Sequence, residues 1–139
     1  MSTLPERVLE WTQSYTESLT ENYKQHSVRM HENFTSEWSK DQLESIKNGT
    51  ANLTKFVIKT GRKYHKIMQH EFDTFRDRNE YREGSVNCFV DKNTGEVYMA
   101  ASWSSPAKHV RFDMRVIRDR KLMHTPSFVT WNTGYLYMR

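Results

Sequence analysis

A single cysteine, Cys88, excludes an internal disulfide and any zinc site built mainly from thiolates. No apolar run approaches the roughly 18 residues that a membrane helix needs, and no basic-then-apolar leader follows Met1. Only five glycines occur, none in a phosphate-cradling loop, so nucleotide hydrolysis is not expected. The six histidines form no recognised ligand motif. These gaps predict a soluble chain in a reducing interior, with no membrane association, no cofactor, no metal and no catalytic residue. Cys88 lies in an apolar stretch that suits an inert thiol. His65, His70, Glu71 and Asp73 are close in sequence but lack a scaffold that would converge them, and Asp91 to Gly95 reads as a plain turn rather than a calcium loop.

Aromatic residues are abundant, at 13% of the chain, and must either pack or bind something. The 139 residues suit one domain, with 1–49 helical and 50–139 basic and rich in strands. Charge is distributed unevenly. Met1 to Thr54 holds five Lys or Arg against eight Asp or Glu, whereas Lys55 to Arg139 holds sixteen against nine. Clustered cations attract phosphates more than net charge does, so the second part is the one expected to face a polyanion.

Thr3, Pro5 and Glu6 have the pattern of a helix start. Val8, Trp11, Tyr15, Leu19, Tyr23, His26, Met30 and Phe34 then recur at steps of three or four, predicting one apolar stripe on a helix of some thirty residues. Such a helix could serve a partner subunit as well as its own core. A second helix, Lys40 to Lys47, should stop at Asn48-Gly49. Thr54 to Gln69 reads as two strands around Thr60-Gly61 in preference to a helix, and the polar Glu71 to Gly84 as a loop with a short helix. Lys92 to Gly95 should turn a hairpin between Ser85–Asp91 and Glu96–Ser102, whose second strand ends at Trp103 to Pro106. Arg111 to Met123 fits strand or helix, and Phe128–Trp131 with Tyr135–Met138 a last hairpin. The class is therefore α+β: a long N-terminal helix followed by a small, mainly antiparallel sheet.

The strings GRKYHKI, from Gly61, SVNCFVDKNTGEVYMAASWSSPAKHVRF, from Ser85, and the closing GYLYMR resemble small, mostly uncharacterised proteins of tailed bacteriophages. The likeness covers most of Lys55 to Arg139. It implies a phage product acting in the cytoplasm of a bacterial host, similar in role to phage proteins that coat single-stranded DNA and assist transcription or replication.

Nucleic acid is held without a sequence code by Lys and Arg on phosphates and by flat rings on bases. Candidate binding residues are Lys59, Arg62, Lys63, Tyr64 and Lys66 on the first hairpin, then Trp103, Lys108, Arg111, Arg115, Arg118, Arg120, Lys121, Tyr135 and Arg139. Strand alternation puts Tyr64 and Lys66 on one face, with Lys63, His65 and Ile67 on the other. The expected function is non-enzymatic binding of nucleic acid, single-stranded DNA first, by a homo-oligomer joined through the N-terminal helix. Replacing Arg115, Arg118 and Lys121 is expected to flatten the salt dependence of binding. The alternative is a module that docks on a host or phage protein, such as an RNA polymerase or a virion component.

Overall fold

In the computed structural model, which describes residues 2–138, a helical layer covers one face of a five-stranded antiparallel sheet. Helix α1 spans Leu4–Glu32 and α2 Glu37–Asn48. The Thr3 hydroxyl accepts the Glu6 N–H at α1's start, and the Ser36 hydroxyl accepts the Ser39 N–H at the start of α2. Gly49, at φ 75°, closes α2 in the left-handed conformation that glycine adopts most readily.

The strands are β1 (Lys55–Thr60), β2 (Tyr64–Asp73), β3 (Glu80–Asp91), β4 (Glu96–Ala100) and β5 (Pro106–Asp113), joined in simple sequence order. A short helix, α3 (Ile117–Met123), and a closing 3-10 turn (Gly134–Met138) complete the chain. The α+β architecture, with the long helix first, is the expected one.

Val8, Tyr15 and Leu19 of α1 pack on Phe56, Ile67, Cys88, Val90, Val97 and Phe112 of the sheet's inner face, joined by Met123, Val129, Tyr135 and Leu136. The expected apolar stripe thus holds from Val8 to His26 and fails beyond it. Met30 and Phe34 are 43% and 60% exposed, because the helix runs past the sheet before ending at Glu32. Its buried face instead takes in polar residues. Thr12 donates to the Val8 carbonyl, while Asn22 donates to the Pro126 carbonyl at 2.7 Å and accepts the Trp131 N–H at 3.0 Å.

Three sequence expectations need correction. Most of Glu71 to Gly84 is strand: β2 and β3 extend as a two-stranded arm beyond their neighbours, with only Phe75–Asp77 helical at its tip. Pro106 opens a fifth strand rather than closing the sheet, since the first residue of an edge strand needs no ladder N–H. The last segment is no hairpin. The Trp131 carbonyl accepts from Gln69 and Asn87 and its N–H goes to Asn22, so buried amide side chains take the place of a strand partner.

Candidate nucleic-acid interface

The sheet's outer face carries no helix. Cross-strand pairing sets Lys59, Lys66, Phe89, Tyr98 and Val110 in one row across all five strands. Alternation therefore sends His65 and Ile67 into the core while Tyr64 and Lys66 face outward, as the sequence suggested; Lys63, expected on the side of His65, precedes β2 in the turn and lines the outer corner instead. Outward does not mean bare. Phe89 is only 3% exposed because neighbouring outer-face side chains close over it.

These neighbours form a ring cluster. Tyr64 meets Phe89 edge-on at 5.8 Å between centroids and Tyr98 at 6.0 Å. The loop between β4 and β5 folds back so that the Lys66 ammonium sits 4.3 Å from the Trp103 ring centre, and Trp103 remains 47% exposed. Two turns brace the corner beside the cluster. The Gly61 N–H donates to the Tyr64 carbonyl at 2.8 Å, and Lys92 donates its backbone N–H to the Lys63 carbonyl at 3.1 Å and its ammonium to the Gly61 carbonyl at 3.0 Å. A hollow of about 290 Å³ opens there, lined by Lys59, Arg62, Lys63, Tyr64, Lys66, Phe89 and Ser104, among others. Among the described residues, the ion pair made by this group of cations is Lys59 with Glu83 at 3.9 Å, an exposed pair of little strength.

The side of the cluster toward β4 and β5 has the opposite sign. Glu96 and Asp113 pair directly across β4 and β5, and both lie near Tyr98, as does Asp91. Burial, reinforced by these carboxylates and by Tyr64, pushes the Tyr98 hydroxyl up from its ordinary pKa. Asp91 accepts the N–H groups of Asn93 and Thr94 and so shapes the turn. Arg115 grips Asp113 through Nε and Nη2, the latter at 2.8 Å, and reaches Glu96 at 4.0 Å. Burial raises the Asp113 carboxyl, but the hydrogen bonds from Arg115 outweigh it and hold the group below its usual range.

The fourteen candidate residues therefore do not form one surface. Lys59, Arg62, Lys63, Tyr64, Lys66 and Trp103 come together. Lys108 and Arg111 lie on β5, the far edge of the sheet. Arg118, Arg120 and Lys121 belong to α3, which packs beside α1; Arg120 lies over the Trp11 ring at 4.4 Å and donates to the Met114 carbonyl. Arg115 is committed to Asp113. Tyr135 is buried at 3% exposure, since the closing turn folds into the core rather than along a sheet edge, and Arg139 lies outside the described residues. Phe89 and Tyr98 were missed as site residues, although period-two alternation from Val90 and Val97 would have turned both outward.

A match over residues 1–138 covers the helical part as well as the sheet. The chain belongs to the DUF7717 family. That family is described as one of unknown function. Neither a curated protein nor a solved structure matches the chain. The larger hollow on this DUF7717 member, about 410 Å³ beside the arm, is lined by Glu71, Asp73 and Glu83 against Arg82 and suits phosphate less than the basic corner does. Among the described residues no three His, Cys, Asp or Glu groups gather to hold a metal ion, and no helix is long and apolar enough to cross a membrane.

Proposed function

We propose that this protein is a non-enzymatic nucleic-acid-binding protein that takes a single strand on the outer face of its sheet and works as a homo-oligomer. The observation that carries the reading is the gathering of Lys59, Arg62, Lys63 and Lys66 around Tyr64, Phe89 and Trp103 at one braced corner. Cations there displace counterions from phosphates, and a base stacks on Trp103 when Lys66 yields the ring face. A single strand fits better than a duplex, because its bases reach rings that a stacked helix keeps covered.

The acids at the Tyr98 end repel phosphate and confine the strand to the β1–β2 side. The resemblance to tailed-phage proteins supports a phage product serving replication or transcription in the host cytoplasm. Docking on a host or phage polymerase is the competing reading, favoured by Trp38, 63% exposed on α2. Titration of labelled single- and double-stranded oligonucleotides across a salt series tests the proposal. Steep salt dependence with preference for the single strand supports it, and absent or salt-independent binding overturns it.

A further inference from the structure

Two exposed features of this fold have no role in the basic corner. The first is the tip of the β2–β3 arm. Phe75 is 63% exposed there, with the guanidinium carbons of Arg76 and Arg78 at 5.2 and 5.9 Å from its ring centre. Arg76, Asp77 and Asn79 all have positive φ, at 53°, 61° and 46°, conformations that cost free energy in residues other than glycine. The Asp73 carboxylate holds the loop in that shape, accepting the Phe75 N–H at 2.8 Å and bonds from Arg78 and Arg82 at 3.3 and 3.1 Å. A strained loop braced in this way presents one ring and two arginines outward, with the exposed Asp77 between them and Arg76 as the arginine not held by Asp73.

The second is the elbow between α1 and α2. Met30, Phe34 and Trp38 are 43%, 60% and 63% exposed within nine residues of chain, among the exposed carboxylates of Glu32, Glu37 and Asp41; the cations there are Arg29 and Lys40, the latter 3.9 Å from Glu37. The tip offers an apolar anchor with arginines, and the elbow an apolar patch with carboxylates. Val116 and Ile117 are exposed too, but are flanked by Arg115 and Arg118 and would repel the tip, while Leu4 and Leu9 lie at the opposite end of α1 from the elbow.

Both features lie at the same end of the molecule. Leu9 of α1 shares a hollow with His65 at the start of β2, and Tyr23 meets Phe56, the partner of Gln69, further on. The helix and the strand therefore run in the same direction, and their C-terminal ends are the elbow and the arm. An interface that pairs one patch with a different patch close by on the same end closes as a two-fold dimer, each arm on the other's elbow.

We infer that this protein forms a two-fold dimer in which Phe75, Arg76 and Arg78 of each copy dock on Phe34, Trp38 and the Glu32, Glu37 and Asp41 carboxylates of the other. This gives the homo-oligomer of the proposed function a specific surface. Along β2's ten residues the arm tip stands about 30 Å from the basic corner, so the dimer leaves both corners open to nucleic acid. Two linked sites then raise avidity without new contacts.

Sedimentation equilibrium of the full chain without nucleic acid is the test, with oligonucleotide titration run separately. The wild type is expected to be a concentration-dependent dimer. Phe75→Ala should weaken association by about thirtyfold, as loss of an interface anchor does. Arg76→Glu and Glu37→Arg should each be monomeric, yet an equimolar mixture of the two should dimerise, because both contacts in the mixed pair regain opposite charges. A monomeric wild type, single variants that remain dimeric, or a mixture that stays monomeric each overturn the inference. A monomer that still binds single strands with steep salt dependence removes this dimer and leaves the basic corner standing.

Discussion

The hydroxyls of Tyr15 on α1 and Tyr135 in the closing turn hydrogen-bond to each other inside the core, and the Cys88 thiol donates to Tyr15 at 3.4 Å. These three polar groups pin the first helix, the middle strand and the chain's last turn at one buried point. Burial raises both tyrosines well above their ordinary pKa and pushes the Cys88 thiol up to about 12. None of them ionises near neutrality.

Tyr135→Phe should cost about 1–3 kcal/mol, because the Tyr15 hydroxyl loses a partner where water cannot replace it. Tyr15→Phe should cost a similar amount. The double variant should cost clearly less than the two added, since it leaves no orphaned hydroxyl between the pair. Urea unfolding of the four proteins measures this, and simple additivity would refute the coupling. Cys88 should react with a thiol reagent only at the rate of unfolding.

Much of this arrangement was legible in the sequence, and the pattern of failures is physical. Helices α1 and α2 and the β3–β4 hairpin follow from capping residues, period-3.6 spacing and the Asn-Thr-Gly turn. The arm over Glu71 to Gly84 was hidden because its strands face solvent and carry charges at positions that ordinarily alternate with apolar residues. Tyr135 looked like a surface ring because nothing local announces Asn22, Gln69 and Asn87, whose side chains hold the neighbouring Trp131 backbone. Lys66 beside Tyr64 could be read from alternation, but Lys63, which alternation turned toward His65 and Ile67, reaches the corner because it lies in the turn before β2. The commitment of Arg115 to Asp113, and the separation of α3 from the outer face, required three-dimensional placement.

Gly95 and Gly49 offer a matched comparison. Both have positive φ, 82° and 75°, but a Cβ on Gly95 would meet the Met114 Cβ at 3.2 Å and Val8 at 3.4 Å, whereas one on Gly49 meets nothing within 4 Å. Gly49→Ala should therefore cost only the conformational term, about 1 kcal/mol. Gly95→Ala should cost more, about 2 kcal/mol or above, because the hairpin turn must also move away from the Met114 side chain. Equal losses in urea unfolding would show that the turn does not press on Met114.

His65 links stability to pH. Burial lowers its pKa from the ordinary 6.5, and the Lys92 charge adds to that. The folded chain then binds fewer protons than the unfolded chain between the depressed value and 6.5, so stability rises with pH through that window. The contribution is complete above 6.5 and is lost as pH falls from there toward the folded value. His65→Gln should flatten this part of the profile, even though loss of the 2.9 Å contact with the Thr60 hydroxyl lowers stability overall. An unchanged slope between wild type and variant would exclude His65 as its source.

Geometry also revises which cations should govern salt dependence. Each phosphate contact on a single strand contributes about 0.7 to the slope of log affinity against log salt. Arg62, Lys63 and Lys66 share the corner, so replacing all three with Ala should reduce the slope by about 2. Trp103→Ala should weaken binding with the slope unchanged, since a ring releases no counterions. Arg118 and Lys121 stand beside α1, away from the outer face, and their replacement should leave the slope as it was. Arg115→Ala should leave affinity unchanged or lower it slightly, because a guanidinium already held by Asp113 at 2.8 Å offers phosphate little, while its loss uncovers the Asp113 and Glu96 carboxylates. A slope that falls equally for the corner and the α3 variants would mean that the strand crosses both layers, and the outer-face path would have to be abandoned.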